Sequence, residues 1–228
     1  MEIQGHTRQT FDAALKALEH HLLEMGSRAE QAVGKAVESL VTMDASLAMQ
    51  VIEQDDDIDE RQNTIEGECI RLLALQHPMA GDLRTIGTAL RMVTDLERVG
   101  DLSVDIAKIT LKVERELGST DYIDLRRMAN LARAMLRQAL EAYVKRDESM
   151  VCDVCDQDDE VDEAYRQLRG QIHDYMRQNP EGVVAGSWLI LAIHHLERIA
   201  DHAVNIAERV HFMVTGRLEN LSTIRKGF

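Results

Sequence analysis

Apolar and small residues recur every three or four positions along most of the chain. The first such stripe comprises Phe11, Leu15, Leu18, Leu22, Met25, Ala29, Ala32 and Ala36. Residues at this spacing lie on one face of an α-helix, because the helix repeats about every 3.6 residues. The pattern predicts a long helix from about Thr7 to Val41 that buries this face against other helices.

Two more helices are predicted before the middle of the chain. Asp44 can cap a second helix that begins at Ala45 and ends at Pro78, since proline cannot continue a helix. A third helix is predicted from about Asp82 to Leu117. The inward positions are Val51, Asp55, Ile58, Gln62, Ile65, Cys69 and Leu72 in the second helix and Leu83, Ile86, Leu90, Val93, Glu97 and Asp101 in the third.

The rest of the chain repeats this plan. A helix is predicted from about Tyr122 to Lys145, and a second one follows a cap at Asp147 and ends near Gln178, before Pro180. A last helix ends near Thr215. The sequence thus predicts three long helices on each side of its middle.

The two halves are also similar residue by residue. The segment 96–107, Leu-Glu-Arg-Val-Gly-Asp-Leu-Ser-Val-Asp-Ile-Ala, returns at 196–207 with seven identical positions. The segment 44–60 aligns with 147–163 at a constant offset of 103 residues. Self-similarity of this kind is typical of a duplicated structural unit. We therefore expect an all-α fold, a tandem duplication of a three-helix bundle with six long helices and a pseudo-two-fold relation.

The boundary between the units is predicted at the Gly-Ser-Thr-Asp sequence of residues 118–121, which is typical of one helix end followed by a helix start. The first half is then 1–118 and the second half 119–228.

Composition and charge restrict the classes of partner and the cellular location that the protein can have. Asp and Glu number 40 against 26 Lys and Arg, a net charge of −14. This balance argues against nucleic acid and anionic lipid as partners and favours basic protein surfaces or metal cations. The first ten residues lack the pattern of a secretory signal, and the longest nearly apolar run, 183–193, is too short to cross a bilayer. Three cysteines fit a reducing compartment, so we expect a cytoplasmic protein without membrane insertion.

Carboxylates recur at four-residue spacing on two helices of each half. They are Asp55, Asp59, Glu97, Asp101 and Asp105 in the first half and Asp158, Asp162, Glu197 and Asp201 in the second. Residues at i and i+4 are neighbours on a helix, so two such columns that face each other would offer four or five oxygen atoms. Carboxylates this close repel one another unless a cation, protons or arginine neutralises them. Oxygen ligands favour Mg²⁺, Ca²⁺, Mn²⁺ or iron over a structural zinc site.

Other interpretations of these carboxylates remain open. The columns are also compatible with the ordinary solvated faces of an acidic protein, and Arg98 and Arg198 offer an alternative counter-charge. Recurrence of both columns in both halves favours a shared role.

The twice-repeated pattern Leu-Glu-Arg-x-x-Asp-x-x-Val-x-Ile-Ala, each time preceded by Gln-Asp-Asp-x-x-Asp, resembles the PhoU family of phosphate transport accessory proteins. The resemblance covers almost the whole chain. It implies a cytoplasmic protein of two three-helix bundles, often a homodimer. Such a protein couples the ATPase subunit of a phosphate ABC transporter to a phosphate-sensing histidine kinase and represses the starvation response when phosphate is plentiful.

The resemblance also implies metal ions on the acidic columns, since some members of the family carry iron or zinc clusters there; manganese and magnesium are further candidates. The implied ligands are the nine carboxylates given above. Asn205 stands where the second half would have a third acidic residue, and an amide is a weaker ligand than a carboxylate.

Several other features were weighed as sites. Cys152-x-x-Cys155 has no second cysteine pair and no βαβ context, so a zinc or redox role is disfavoured. His194 lies beside the second acidic column and is a possible further ligand. A carboxylate-bridged dinuclear metal enzyme is the alternative function, but only Glu208-x-x-His211 matches the Glu-x-x-His pattern that such enzymes use twice. We therefore expect a non-enzymatic adaptor, with a purely structural helical scaffold as a third possibility.

Overall fold

The computed structural model describes residues 2–76, 78–113 and 123–220, and these are helical apart from short connections. Six long α-helices, one short α-helix and one short 3-10 helix, Pro180–Gly182, are present in this part of the chain. The α-helices are α1 Glu2–Thr42, α2 Ala45–Glu53, α3 Asp55–Gln76, α4 Ala80–Val113, α5 Leu125–Lys145, α6 Glu148–Gln178 and α7 Val183–Thr215. The all-α prediction is confirmed, while the predicted boundary at 118–121 lies outside the described residues.

The predicted helix caps are present. The side chain of Asp44 accepts a hydrogen bond from the backbone N–H of Leu47 at 3.0 Å. Asp147 accepts one from the backbone N–H of Ser149 at 2.9 Å. Each carboxylate thereby satisfies an amide that has no partner within its own helix.

The prediction of one continuous second helix is wrong, because this segment is divided at Gln54 into α2 and α3. No proline or glycine marks this break. The Gln54 side chain accepts a hydrogen bond from Lys35 Nζ of α1 at 2.9 Å, a tertiary contact that the periodicity of one helix does not reveal. In the second half α6 runs without interruption through the equivalent Gln157, which bonds to Gln138 instead.

The apolar stripes of the helices form the core, in which buried side chains from all seven α-helices make one continuous cluster. Leu83 is an exception, since it was predicted to face inward and is 49% exposed. It lies in the first turn of α4. α7 and the turn before it are long and apolar enough to cross a membrane, but half of the most apolar window is buried inside the bundle, as in a core helix.

The two halves pack together through equivalent helices. α4 lies antiparallel to α7, because Arg84 near its start donates to the Met213 carbonyl at 3.1 Å and Lys112 near its end lies 4.0 Å from the Trp188 ring centroid. α1 lies antiparallel to α5 in the same way, with Arg126 at the start of α5 bonded to Glu38 near the end of α1. Each half thus completes the core of the other.

A buried ion pair joins α1 to α5. Glu30 of α1 is only 8% exposed and accepts hydrogen bonds from Arg133 Nε at 2.9 Å and from Arg137. A buried carboxylate needs partners of this kind, because its loss of hydration is otherwise uncompensated.

Replacement of Glu30 with alanine is expected to lower the free energy of unfolding by about 2 kcal/mol, since two charge-assisted bonds are lost and two arginines are left without their partner. Urea unfolding followed by circular dichroism measures the change. The matched control is Glu38→Ala, which removes a more exposed α1–α5 pair and is expected to cost less than about 1 kcal/mol. Equal effects of the two substitutions would contradict the assigned role of burial.

Candidate functional site

The first acidic site is formed by Asp55 and Asp59 of α3 and Glu97 and Asp101 of α4. Burial is the largest cause that raises the pKa of Asp55 to about 6; the nearby charges of Asp59 and Asp101 contribute to this rise, and the charge of Lys108 opposes it. These mutual effects show that the two predicted columns face each other. A carboxyl group beside like charges in a partly dry setting favours its protonated form.

The pKa of Glu97 is shifted by the same surroundings. It is raised first by burial and then by the charge of Asp101, against the opposing charge of Arg98. The guanidinium of Arg98 donates to Asp101 Oδ2 at 2.8 Å. The arginine predicted as an alternative counter-charge therefore does contact this site, but its charge does not offset the combined effect of burial and of Asp101 on the pKa of Glu97.

Gly100 allows α3 to approach α4 at this point. A Cβ atom at position 100 would lie 3.1 Å from Asp55 Oδ1 and 3.1 Å from Ile58 Cδ1, tighter than ordinary van der Waals contact. The equivalent residue of the second half is Ala200. Gly100 therefore allows α3 and α4 to pack more closely than a residue with a Cβ atom would allow.

The second acidic site is formed by Asp162 of α6 with Glu197 and Asp201 of α7. The pKa values of Glu197 and Asp201 are both raised, first by burial, and the charge of Asp162 contributes to each. His194 Nδ1 lies 3.1 Å from Glu197 Oε2 and opposes the shift. Asp158 is half-buried one turn earlier on α6, and its role as a ligand stays a prediction, as does that of His194.

Asp105 and Asn205, the third members of the two columns, have contacts outside the acidic sites, and the role of Asp105 as a ligand stays a prediction. Residues eight positions apart differ by about 80° around a helix, so the third member of each column turns away from the first. Asp105 lies 3.4 Å from Lys108 Nζ and acts electrostatically on His195 of α7. Asn205 Nδ2 donates to Asp95 Oδ1 at 3.4 Å. Both residues therefore belong to the α4–α7 interface.

This interface contains polar residues that the sequence patterns did not single out. His202 Nδ1 lies 2.9 Å from Asp95 Oδ1, the same oxygen that Asn205 contacts. A carboxylate at position 205 would repel Asp95, whereas the amide donates to it. The presence of Asn205 instead of a third acidic residue is thus explained by its contact with Asp95. The sequence alone did not reveal this contact, because it depends on the pairing of α4 with α7.

The donor atoms of the two acidic sites suit a hard cation, and the repulsion among their carboxylates would be relieved by one. Within the described parts of the chain, however, no three His, Cys, Asp or Glu side chains converge on a point that could hold a metal ion. Metal binding by these residues stays a prediction.

Asp55 is expected to make stability depend on pH in the absence of metal. Its pKa is raised in the folded state, so the folded protein binds the proton more tightly than the unfolded chain does. Stability should therefore fall as pH rises from about 4 to about 6 and remain lower above that window. Melting temperatures at pH 5 and pH 7.5 in EDTA should differ less for Asp55→Asn than for the wild type. Glu60→Gln, on the exposed face of α3, is the control, and an unchanged difference in Asp55→Asn would contradict the assignment.

The cysteines provide no evidence of a second chemical site. Cys69 and Cys155 are buried and Cys152 is half-buried, and none of the three forms a disulfide. Burial raises the pKa of Cys152, with further contributions from Glu148 and Asp156. A raised pKa keeps the thiol protonated, which lowers its reactivity and its affinity for metals.

The fold and the sites define a class of protein: a duplicated helical bundle with a pair of facing acidic columns in each half. The chain belongs to the PhoU family, because the PhoU domain matches it twice, at residues 22–110 and 125–210.

Relatives of nearly full length support this assignment. A "Phosphate-specific transport system accessory protein PhoU homolog" of Clostridium acetobutylicum is 36% identical over 95% of this chain and 99% of its own length. The homolog of Pseudomonas aeruginosa is 36% identical over 92% of this chain and 88% of its own length.

Solved structures agree with the fold. The crystal structure of PhoU from Pseudomonas aeruginosa has a TM-score of 0.85 at 36% identity and covers 91% of this chain and all of its own. The phosphate transport system regulatory protein PhoU from Streptococcus pneumoniae gives a TM-score of 0.85 at 32% identity over 92% of this chain and 99% of its own. These proteins are named as accessory or regulatory proteins rather than enzymes, in agreement with the expectation of a non-enzymatic chain.

Proposed function

We propose that the chain is a cytoplasmic accessory protein that regulates phosphate uptake and the phosphate-starvation response. It couples the ATPase subunit of a phosphate ABC transporter to a phosphate-sensing histidine kinase and acts as a negative regulator when phosphate is plentiful. The observation that carries the proposal is the match to named phosphate-specific transport accessory proteins along nearly the whole chain. The chain is a regulator rather than an enzyme.

The charge of the molecule supports protein partners of a particular kind. The net charge of −14 favours association with basic surfaces, and complementary charge accelerates encounter between partners. Several exposed carboxylates lie on the outer faces of α3 and α6, including Asp56, Glu60, Asp159 and Glu163. These faces are available to a partner without disturbing the core.

Co-purification tests the partner assignment. The tagged chain is expressed together with the transporter ATPase subunit of the same organism, and the complex is isolated by affinity capture and size-exclusion chromatography. A stoichiometric complex that weakens as salt is raised is expected. An unrelated acidic helical protein of similar size is the control, and failure of the two proteins to co-elute at low salt would contradict the proposal.

We also propose that divalent metal ions occupy the two acidic sites and hold the facing columns together, and that the working form is a homodimer. The repulsion between carboxylates at Asp55 and Glu97 supports the first part. The second part rests on the family resemblance, and sedimentation equilibrium tests it. A mass near twice that of the 25.8 kDa chain is expected, whereas a monomer at micromolar concentration would contradict it.

A further inference from the structure

A cavity of about 400 Å³ lies in the second half, away from both acidic sites, where the end of α1 meets the start of α5 and the later turns of α6. Apolar and polar side chains both line the cavity, and the polar ones contribute more of its surface. The apolar floor comprises Met128, Ala164 and Leu168, and the polar lining includes Arg126, Arg127 and Gln167. The volume of this cavity lies within the range of small-molecule sites.

The duplication supplies an internal comparison. At the offset of 103 residues, Ala164, Gln167 and Leu168 correspond to Arg61, Thr64 and Ile65, which line a smaller cavity of about 290 Å³ in the first half. There the guanidinium of Arg61 pairs with Glu24 at 2.9 Å and with Asp57 at 3.4 Å. In the second half the small side chain of Ala164 leaves that volume open.

The charge at the rim is reversed as well. Arg127 stands where the first half has Glu24, so a carboxylate is replaced by a guanidinium. Arg126 is held by Glu38 through two bonds of 2.9 and 3.0 Å, and Asp124 caps α5 by accepting from the Arg127 backbone N–H. Among the residues that the structure describes, no carboxylate lies within ion-pair distance of the Arg127 side chain. Its guanidinium is thus available to an anion.

We infer that this cavity is a binding site for a small amphipathic organic anion, with an apolar ring or chain on the floor and a carboxylate, sulfonate or phosphate group at Arg127. An apolar group gains by leaving water for the floor of the cavity, and a guanidinium forms strong paired hydrogen bonds to such oxyanions. Among the described residues the first half has no equivalent of this site, because Ala164 and Arg127 correspond there to Arg61 and Glu24.

The probe for the test is 1-naphthalenesulfonate, which combines two fused apolar rings with one anionic group. Isothermal titration calorimetry with the full chain is expected to show saturable binding of one molecule per chain. The charge-reversed probe, 1-naphthylmethylammonium, is expected to bind at least about ten-fold more weakly, because Arg127 repels it.

Two variants locate the site. Ala164→Leu fills the floor and is expected to abolish binding, and circular dichroism establishes that it remains folded. Arg127→Glu restores the charge of the first half at the rim and is expected to weaken binding about ten-fold or more. Arg91→Glu, an equal change of charge at an exposed position of α4, is the control and should leave the affinity unchanged.

Three results would overturn the inference. They are the absence of saturable binding at millimolar probe, equal weakening by the Arg127 and Arg91 variants, and unchanged affinity in both Ala164→Leu and Arg127→Glu. Because Arg127 lies at the surface, its variant remains informative even if Ala164→Leu fails to fold.

Discussion

Replacement of Leu96 with aspartate is expected to unfold the whole described core, although the change lies in the first half. Leu96 has no exposed surface and lies on α4, the helix that packs against α1, α3 and α7. The substitution forfeits about 2 to 3 kcal/mol of apolar burial and adds the cost of placing a carboxylate in an apolar interior. The sum is comparable to the total stability of a typical domain, about 5 to 15 kcal/mol.

Loss of helical circular dichroism and urea unfolding measure this effect. Leu96→Met, which conserves volume, is expected to cost less than about 1.5 kcal/mol, and Thr94→Asp tests the same charge at an exposed position of α4. Because the two halves share one core, any helical structure that the Leu96→Asp variant retains should be lost in a single transition. A variant that retains half of the native helical signal and melts in a separate step would contradict the shared core.

Replacement of both Glu97 and Asp101 with alanine is expected to change the response to metal more than any other property. In the absence of metal at neutral pH the variant should be at least as stable as the wild type, since a repelling, partly buried pair is removed. With Mn²⁺ at about a hundred times its dissociation constant, the wild type should gain about 2.7 kcal/mol and the variant much less.

Melting temperatures with and without Mn²⁺ give this comparison. Asp56→Ala combined with Glu60→Ala is the matched control, because these two residues have the same four-residue spacing but lie on the exposed face of α3. The control should retain the full response to Mn²⁺. Equal stabilisation of the wild type and the Glu97/Asp101 variant would contradict the metal assignment.

The sequence was sufficient for the duplication and for every helix except the one divided at Gln54, because these features depend on local patterns. The stripe from Phe11 to Ala29 is buried as predicted, and the caps at Asp44 and Asp147 satisfy the first turns of their helices. The facing of Asp55 and Asp59 toward Glu97 and Asp101 was also predicted, because Asp55, Glu97 and Asp101 fall at inward positions of neighbouring helices.

Features that depend on contacts between helices were not predictable. The break at Gln54 is associated with a bond from α1, and the roles of Asp95, Asp105 and Asn205 depend on the pairing of α4 with α7. The cavity beside Ala164 likewise appears only when the two halves are compared in three dimensions. Each of these features joins residues that are far apart in the sequence, which a single helical stripe does not encode.

Expression of a phosphate-starvation reporter in a strain that lacks the chain tests the central claim most directly. The strain is grown in excess phosphate and compared with its parent and with the deletion strain that carries the wild-type chain. A negative regulator predicts high reporter expression in the deletion strain and low expression in the other two. Equally low expression in the deletion strain and its parent would contradict the proposed function.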